Sequence, residues 1–386
     1  MTNLVPLRHR FRSIYGAEPR LFSAPGRVNL VGDHTDYNDG FVLPIAIERR
    51  TFVAAAPRAD RNVRVQSIQF PKAGQFDLDR PGPKRQNGWL DYIEGMAQAL
   101  EARGIKLIGA DLLVDSDVPA GAGLSSSAAL EMAVGLALCS LAGDDKLTRA
   151  ELAVAGQTAE HEYVGTMCGI MDQLIAALGQ PDHALFIDCR TLEAKPVPFA
   201  RPDAVVLICD TKVTRELASS EYNRRRAQCQ EGVSALKSVL PHVRALRDVS
   251  LADLEANASL LTETVFNRCR HVVTENARTL DAARALSESN LVELGRIMVE
   301  SHRSLQIEYE VSCPELDLCV ATATAQPGVY GARMTGGGFG GCTVNVVAED
   351  AVASVSQALS GALERTFGKA PAIFATRAST GAKEHV

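Results

Sequence analysis

The sequence predicts an α+β protein of two domains, on three observations. Short β-prone runs crowd the first 67 residues, long apolar helical stretches follow, and the second half is helix-rich until a glycine cluster leads into a strand. A chain of 386 residues holds between two and three domains of about 150 residues, or two larger ones. The Pro-containing stretch 195–202 reads as the linker, which gives an N-terminal domain of residues 1–200 and a C-terminal domain of residues 201–386.

Each element follows from local pattern. Leu7, Phe11, Ile14 and Tyr15 lie on one helical face. Arg8, Arg10 and Arg12 there lack the serine richness and apolar core of a targeting segment, so a first helix is expected. Arg27–Val31, Phe41–Ile47, Phe52–Ala56 and Val63–Ser67 are β-prone runs between turn residues. Helices are expected at Trp89–Arg103 and at Leu130–Leu141, where Leu130, Val134, Leu138 and Leu141 fall at helical spacing with few charges, the mark of a buried helix. A further helix, Arg149–Val164, leads through TMCGIMDQ into another apolar helical stretch. Ala184–Asp188 and Val205–Cys209 read as strands, Glu216–His302 as helix-rich and Cys342–Val347 as a strand.

Composition narrows the class of function. With 46% hydrophobic and 22% charged residues the chain is globular, and a net charge of −6 offers no general grip on nucleic acid or an anionic membrane. The longest apolar run, Met132–Gly143, falls short of the roughly 20 residues that span a bilayer. Nine cysteines without a C-x-x-C pair argue against a disulfide framework and a zinc site and fit free thiols in the cytoplasm. His161-Glu162 lacks the second histidine of a zincin helix.

Three groups of residues carry chemistry. Gly121, Ala122, Gly123, Leu124, Ser125, Ser126 and Ser127 stand directly before the buried helix, where glycines admit a ligand to the backbone and first-turn N–H groups favour an anion. Taken alone, such a start is more often a plain turn. No G-x-x-x-x-G-K-[ST] exists, and Gly336-x-Gly338-x-x-Gly341 precedes a strand where a dinucleotide fingerprint requires a helix. That glycine turn lies either beside a ligand or in tight backbone packing.

The second group, Asp33, His34, Asp36 and Asp39, packs acceptors into one turn after a strand, which suits sugar hydroxyls, a solvated turn or, least well, calcium. The third comprises Asp172, in apolar surroundings that call for a cation such as Arg27, together with Glu160 and Tyr222. On the residues alone, Glu160 and the Tyr222 segment with Arg224–Arg226 read as solvated helix faces.

GRVNLVGDHTDYNDGFVLP from Gly26, PAGAGLSSSAA from Pro119 and GARMTGGGFGGCTV from Gly331 together resemble the galactokinases of the GHMP family of small-molecule kinases, as do CGIMDQ from Cys168 and VSCPELD from Val311. The resemblance implies a ribosomal-protein-S5-like N-terminal domain and a ferredoxin-like C-terminal domain with the active site between them. It also implies transfer of the ATP γ-phosphoryl group, with Mg²⁺, to the C1 hydroxyl of α-D-galactose by a monomer or weak homo-oligomer. Carried over by motif, Gly121–Ser127 hold the phosphates of ATP, Ser127 and Glu160 the Mg²⁺, and Trp89 flanks adenine. Asp172 is the implied base and Arg27 the transition-state cation, while Asp33, His34, Thr35, Asp36 and Tyr222 face the sugar.

One position departs from the family. Asp33 stands where galactokinases usually carry Glu near the C6 hydroxyl, and the missing methylene withdraws the carboxylate by about half a hydrogen-bond length. Galactose with relaxed discrimination at C6 is therefore expected, with a kinase for L-arabinose or galacturonate as one alternative and a non-catalytic galactose and ATP sensor as another.

Overall fold

The structure is a computed structural model that describes residues 4–86, 88–144, 146–199, 203–213 and 218–385. It opens with α1 (Leu4–Tyr15), whose Leu7 and Phe11 are buried as the periodicity predicts. Six strands then form the first sheet: β1 (Arg20–Asn29), β3 (Pro44–Pro57), β4 (Asn62–Ser67), β5 (Gly74–Asp77), β6 (Ala110–Ser116) and, from the far end of the chain, β13 (Lys383–His385), in the order β13-β1-β3-β6-β4-β5. Among the described residues only β4 and β6 run parallel. The two predicted strands at 41–47 and 52–56 are in fact the short β2 (Phe41–Val42) and one long β3, because Pro44 to Pro57 contains no turn residue and pairs with β1 almost throughout.

Helices α2 (Leu90–Glu101), α3 (Ser126–Leu141), α4 (Arg149–Ala159) and α5 (Met171–Leu178) cover this sheet, and their apolar faces merge with it into one core through Met96, Met132, Leu138, Leu152 and Leu174. A short sheet follows, in the order β2-β7-β8, with β7 (His183–Asp188) and β8 (Glu193–Pro198). The expected linker is therefore mostly strand: the prolines of β8 sit on an edge, where a missing N–H is tolerated, and residues 200–202 lie outside the described residues.

The second half carries β9 (Ala204–Asp210), α6 (Ala218–Lys237), α7 (Leu251–Ala256), α8 (Glu263–Ser287), α9 (Leu291–Ile307), α10 (Pro314–Thr324), β10 (Val329–Thr335), β11 (Cys342–Ala348), α11 (Val352–Phe367) and β12 (Ala372–Thr376). Its antiparallel sheet has the order β10-β11-β9-β12. The halves are not separate in space. Val28, Leu30 and Ile45 share one buried cluster with Ile208, Leu294 and Val344, and β13 returns to the first sheet, so a cut at residue 200 divides the sequence without dividing the core. Among the described residues no helix is long and apolar enough to cross a membrane.

Candidate active site

A cavity of about 540 Å³ opens between the halves, bounded by β1, the loop before α3, the start of α5, α6 and the glycine turn after β10. Its geometry begins with Gly26. The β1–β3 register shifts between Pro25 and Arg27, and a Cβ on Gly26 would stand 2.7 Å from the Leu124 carbonyl oxygen, so only glycine lets β1 run this close to the loop. The Arg27 amide then donates to that carbonyl at 3.0 Å.

The Arg27 guanidinium is buried and holds Asp172 in a fork, Nε to Oδ1 and Nη2 to Oδ2, each at 2.7 Å. Its Nη1 donates to the Gly123 carbonyl at 2.6 Å, and the Ser125 hydroxyl donates to Asp172 Oδ2 at 2.5 Å. Burial disfavours the Arg27 charge, but the carboxylates of Asp172, Asp33 and Asp36 hold it more firmly charged than usual. Asp172 sits in the first turn of α5, where the helix dipole favours a carboxylate.

The loop before α3 forms an anion cradle. Gly121 and Gly123 have φ of +72° and +77°, and Ser125, at φ +58°, adopts the left-handed conformation without capping the helix with its side chain. First-turn amides are thereby left for a ligand. Gly336, at φ +82°, approaches so closely that a Cβ there would lie 2.9 Å from the Gly123 carbonyl oxygen, and Gly336 and Gly337 line the cavity. The second glycine turn thus combines its two expected readings, being tightly packed and beside the ligand space.

Glu160 opens a π-helical turn, Glu160–Val164, that follows α4, and it continues the buried face of that helix after Leu152 and Gly156. It is buried, contrary to the solvated helix face that amphipathicity suggested, and it neighbours Ser127. Burial pushes its carboxyl up to about 7. Glu131, deeper in α3, is fully buried, accepts from Gln173 Nε2 at 3.1 Å and lies against Glu160, so its own carboxyl rises well above the ordinary range by burial and by that neighbour.

At the other end, Asp33, His34, Asp36 and Tyr222 line the cavity. Asp33 is fully buried, with Oδ2 accepting from Arg333 Nη2 at 2.7 Å and Oδ1 from Asn29 Nδ2 at 2.9 Å. Desolvation pushes its carboxyl up while Arg333 and Asn29 oppose that shift. Burial pushes Asp36 to about 7, with the nearby Asp172 charge adding to the effect. Gly169 makes room for it, since a Cβ there would stand 1.9 Å from Asp36 Oδ2. Tyr222 packs its ring 5.6 Å from that of His34, and Arg225 is buried, donating to the carbonyls of Tyr309 and Glu310 at 2.8 Å each, so of the expected solvated face Arg224 stays exposed while Tyr222 and Arg225 turn inward.

Three expected site residues stand elsewhere. The buried Thr35 hydroxyl donates to the Gly32 and Phe41 carbonyls at 2.8 and 2.6 Å, closing the loop instead of facing the cavity. The Leu124 side chain is in the core, and only its carbonyl serves the site. Trp89 does not line the cavity; its ring stacks on Phe70 at 5.7 Å. The sequence reading missed Arg333, Glu131, Gly169, Tyr37 and Tyr309. Arg333 and Gly169 belong to quoted motifs, whereas nothing in the local pattern marks Glu131 or Tyr309.

The chain matches the galactokinase galactose-binding signature over residues 9–57, the GHMP kinases N terminal domain over 91–180 and the GHMP kinases C terminal domain over 282–365. A galactokinase of Chloroflexus aurantiacus is 53% identical over 353 residues, 91% of this chain and 90% of that one. One from Roseiflexus sp. is 48% identical over 376 residues, 97% of this chain and 95% of that one. The crystal structure of Lactococcus lactis galactokinase complexed with galactose superposes with a TM-score of 0.95 at 37% identity, covering 98% of this chain and 99% of that one. The Methanococcus jannaschii mevalonate kinase shares the fold, with a TM-score of 0.67 at 17% identity. With an Arg–carboxylate fork facing an anion cradle and this likeness along nearly its whole length, the chain belongs to the galactokinase family of GHMP-fold, ATP-dependent sugar kinases.

Proposed function

We propose that this protein transfers the γ-phosphoryl group of ATP to the C1 hydroxyl of α-D-galactose, giving galactose 1-phosphate and ADP. The observation that carries it is the Arg27–Asp172 fork between the glycine cradle and the Asp33–Asp36 turn. Gly121–Ser127 bind the phosphates through backbone amides. Asp172 accepts the hydroxyl proton or orients the hydroxyl, and Arg27 spreads positive charge over the phosphoryl oxygens, because a loose transition state needs alignment and neutralisation more than covalent help. Asp36, His34 and Tyr222 hold the sugar. The stacked ring of Trp89 with Phe70 is the aromatic surface proposed for adenine.

The residues fit Mg²⁺. Ser127 and Glu160 offer hard oxygen donors beside the cradle, and a buried carboxyl raised to about 7 gains by a cation. Bound there, Mg²⁺ supplies neutralisation of the phosphate charge.

Asp33 supports a second reading, a sugar altered at C6. Its carboxylate is already engaged by Arg333 and Asn29, so a C6 hydroxyl is served weakly, and L-arabinose or galacturonate is tolerated beside galactose. The test is ADP release with Mg-ATP and D-galactose, L-arabinose, D-galacturonate or no sugar, with Asp172→Asn as blank. Galactose-driven turnover lost in the variant supports the kinase and its base. Sugar binding without turnover gives the sensor reading instead.

A further inference from the structure

Among the described residues the His34 imidazole has one nitrogen without a hydrogen-bond partner. His34 is buried on the cavity wall in the left-handed conformation, φ +67°, a strained setting for a side chain and one that marks a held geometry. Its Nδ1 lies 2.8 Å from the Tyr37 hydroxyl, which lies 2.7 Å from the Tyr309 hydroxyl, which in turn lies 3.2 Å from the Cys229 thiol. Tyr309 and Cys229 are buried, and His34 Nε2 has no hydrogen-bond partner among the described residues. Tyr37 comes from the sugar turn, Cys229 from α6 and Tyr309 from the segment after α9, so the chain of hydroxyls joins elements remote in sequence.

We propose that Tyr37 and Tyr309 are positioning residues that fix neutral His34 as its Nε2–H tautomer, presenting an N–H donor to a sugar oxygen. This rests on the reading that His34 faces the sugar. The direction of the relay follows from the strengths of its members. Imidazole nitrogen is the best acceptor in the row and phenol the best donor, whereas thiol sulfur is a poor acceptor. The favourable order therefore runs from the Cys229 S–H to the Tyr309 oxygen, from the Tyr309 O–H to the Tyr37 oxygen, and from the Tyr37 O–H to His34 Nδ1. The reverse order would end a phenolic O–H on sulfur and leave Nε2 a bare acceptor.

The carboxylates lining the cavity make the same demand. Asp36 and Asp172, when ionised, only accept, so they take protons from sugar hydroxyls and leave those oxygens in need of donors. Burial, together with the charges of His271, Arg225 and Arg333, holds His34 far below the usual imidazole range, so the donor is the neutral ring. Ring packing completes the hold: His34 lies 4.7 Å from Tyr309 and 5.6 Å from Tyr222, centroid to centroid.

Long-range ¹H–¹⁵N correlation spectra of ¹⁵N-histidine-labelled protein distinguish the tautomers, with the His34 signal assigned by its loss in His34→Gln. The wild type is expected as Nε2–H, and Tyr37→Phe as a mixed or Nδ1–H ring. The variant's KM for galactose should rise about 5–10-fold, the worth of one neutral hydrogen bond, with kcat and the KM for ATP within about two-fold. Tyr309→Phe, which leaves the Tyr37 hydroxyl in place but unsupported, should move both readouts in the same direction by less. An Nδ1–H ring in the wild type, or a tautomer unaltered by Tyr37→Phe, overturns the proposal. Unchanged galactose affinity in His34→Ala overturns the sugar contact on which it rests, while the spectra still judge the relay separately.

Discussion

Arg27 binds Asp172 through two N–H···O bonds of 2.7 Å and the Gly123 carbonyl through a third of 2.6 Å. One guanidinium thus ties the carboxylate proposed as proton acceptor to the loop proposed to cradle phosphate. A planar fork is needed for this, which an ammonium cannot supply. Arg27→Lys is accordingly expected to lower kcat by about 10²-fold or more, the range for a misaligned acid–base group, while nucleotide affinity by calorimetry changes far less.

Asp36 gives a pH dependence whose sign is fixed. Its carboxyl is raised from 3.8 to about 7 by burial and by Asp172, so the folded state holds a proton that the unfolded chain releases near pH 4. The stability this contributes is present below about pH 4 and is lost as the pH rises through 7. Asp36→Asn, neutral throughout, should therefore raise the melting temperature of the ligand-free protein at pH 8 by a few degrees and leave it nearly unchanged at pH 4. The same variant should lose galactose affinity, a conflict between stability and binding that thermal melts with and without sugar will display.

Gly169 and Gly336 separate the two substrates. A methyl group on Gly169 would fall 1.9 Å from Asp36 Oδ2, and one on Gly336 would press on the Gly123 carbonyl at 2.9 Å in a backbone conformation of φ +82°. Gly169→Ala should raise the KM for galactose by about ten-fold or more, the loss of one charge-assisted hydrogen bond, with little change for ATP. Gly336→Ala should do the reverse, and steady-state kinetics on both substrates checks the pair.

Asp33 and Arg333 form a fully buried ion pair between the turn after β1 and β10. Removing one partner leaves an uncompensated charge, so Asp33→Asn should destabilise the protein by about 3–5 kcal/mol in chemical denaturation. Asp33→Glu keeps the pair's charge and extends the carboxylate. Its ratio of kcat/KM for galactose over L-arabinose should rise above the wild-type ratio, and an unchanged ratio would count against relaxed discrimination at C6.

Much of this molecule was legible in its sequence because local pattern and local structure agree. The apolar spacing of Leu130, Val134 and Leu138 specified a buried α3, and the glycines and serines before it specified an open anion cradle, since backbone freedom and helix-end amides are local properties. Family likeness then supplied roles for Asp172 and Arg27, which local pattern offered only as a plausible pair.

Tertiary structure decided what depends on distant neighbours. The buried face of α4 takes in Glu160, backbone carbonyls of the segment after α9 hold Arg225, and hydroxyl bonds within its own loop withdraw Thr35 from the cavity. The edge prolines of β8 and the return of β13 to β1 are likewise settled by pairing partners far along the chain. Burial and pairing are set by which segments meet, and periodicity reports only the face that a segment offers. The sequence by itself therefore determined the family, the glycine-rich loop and the types of groups in the site, while the fold determined their burial, their partners and the nitrogen of His34 left unpaired among the described residues.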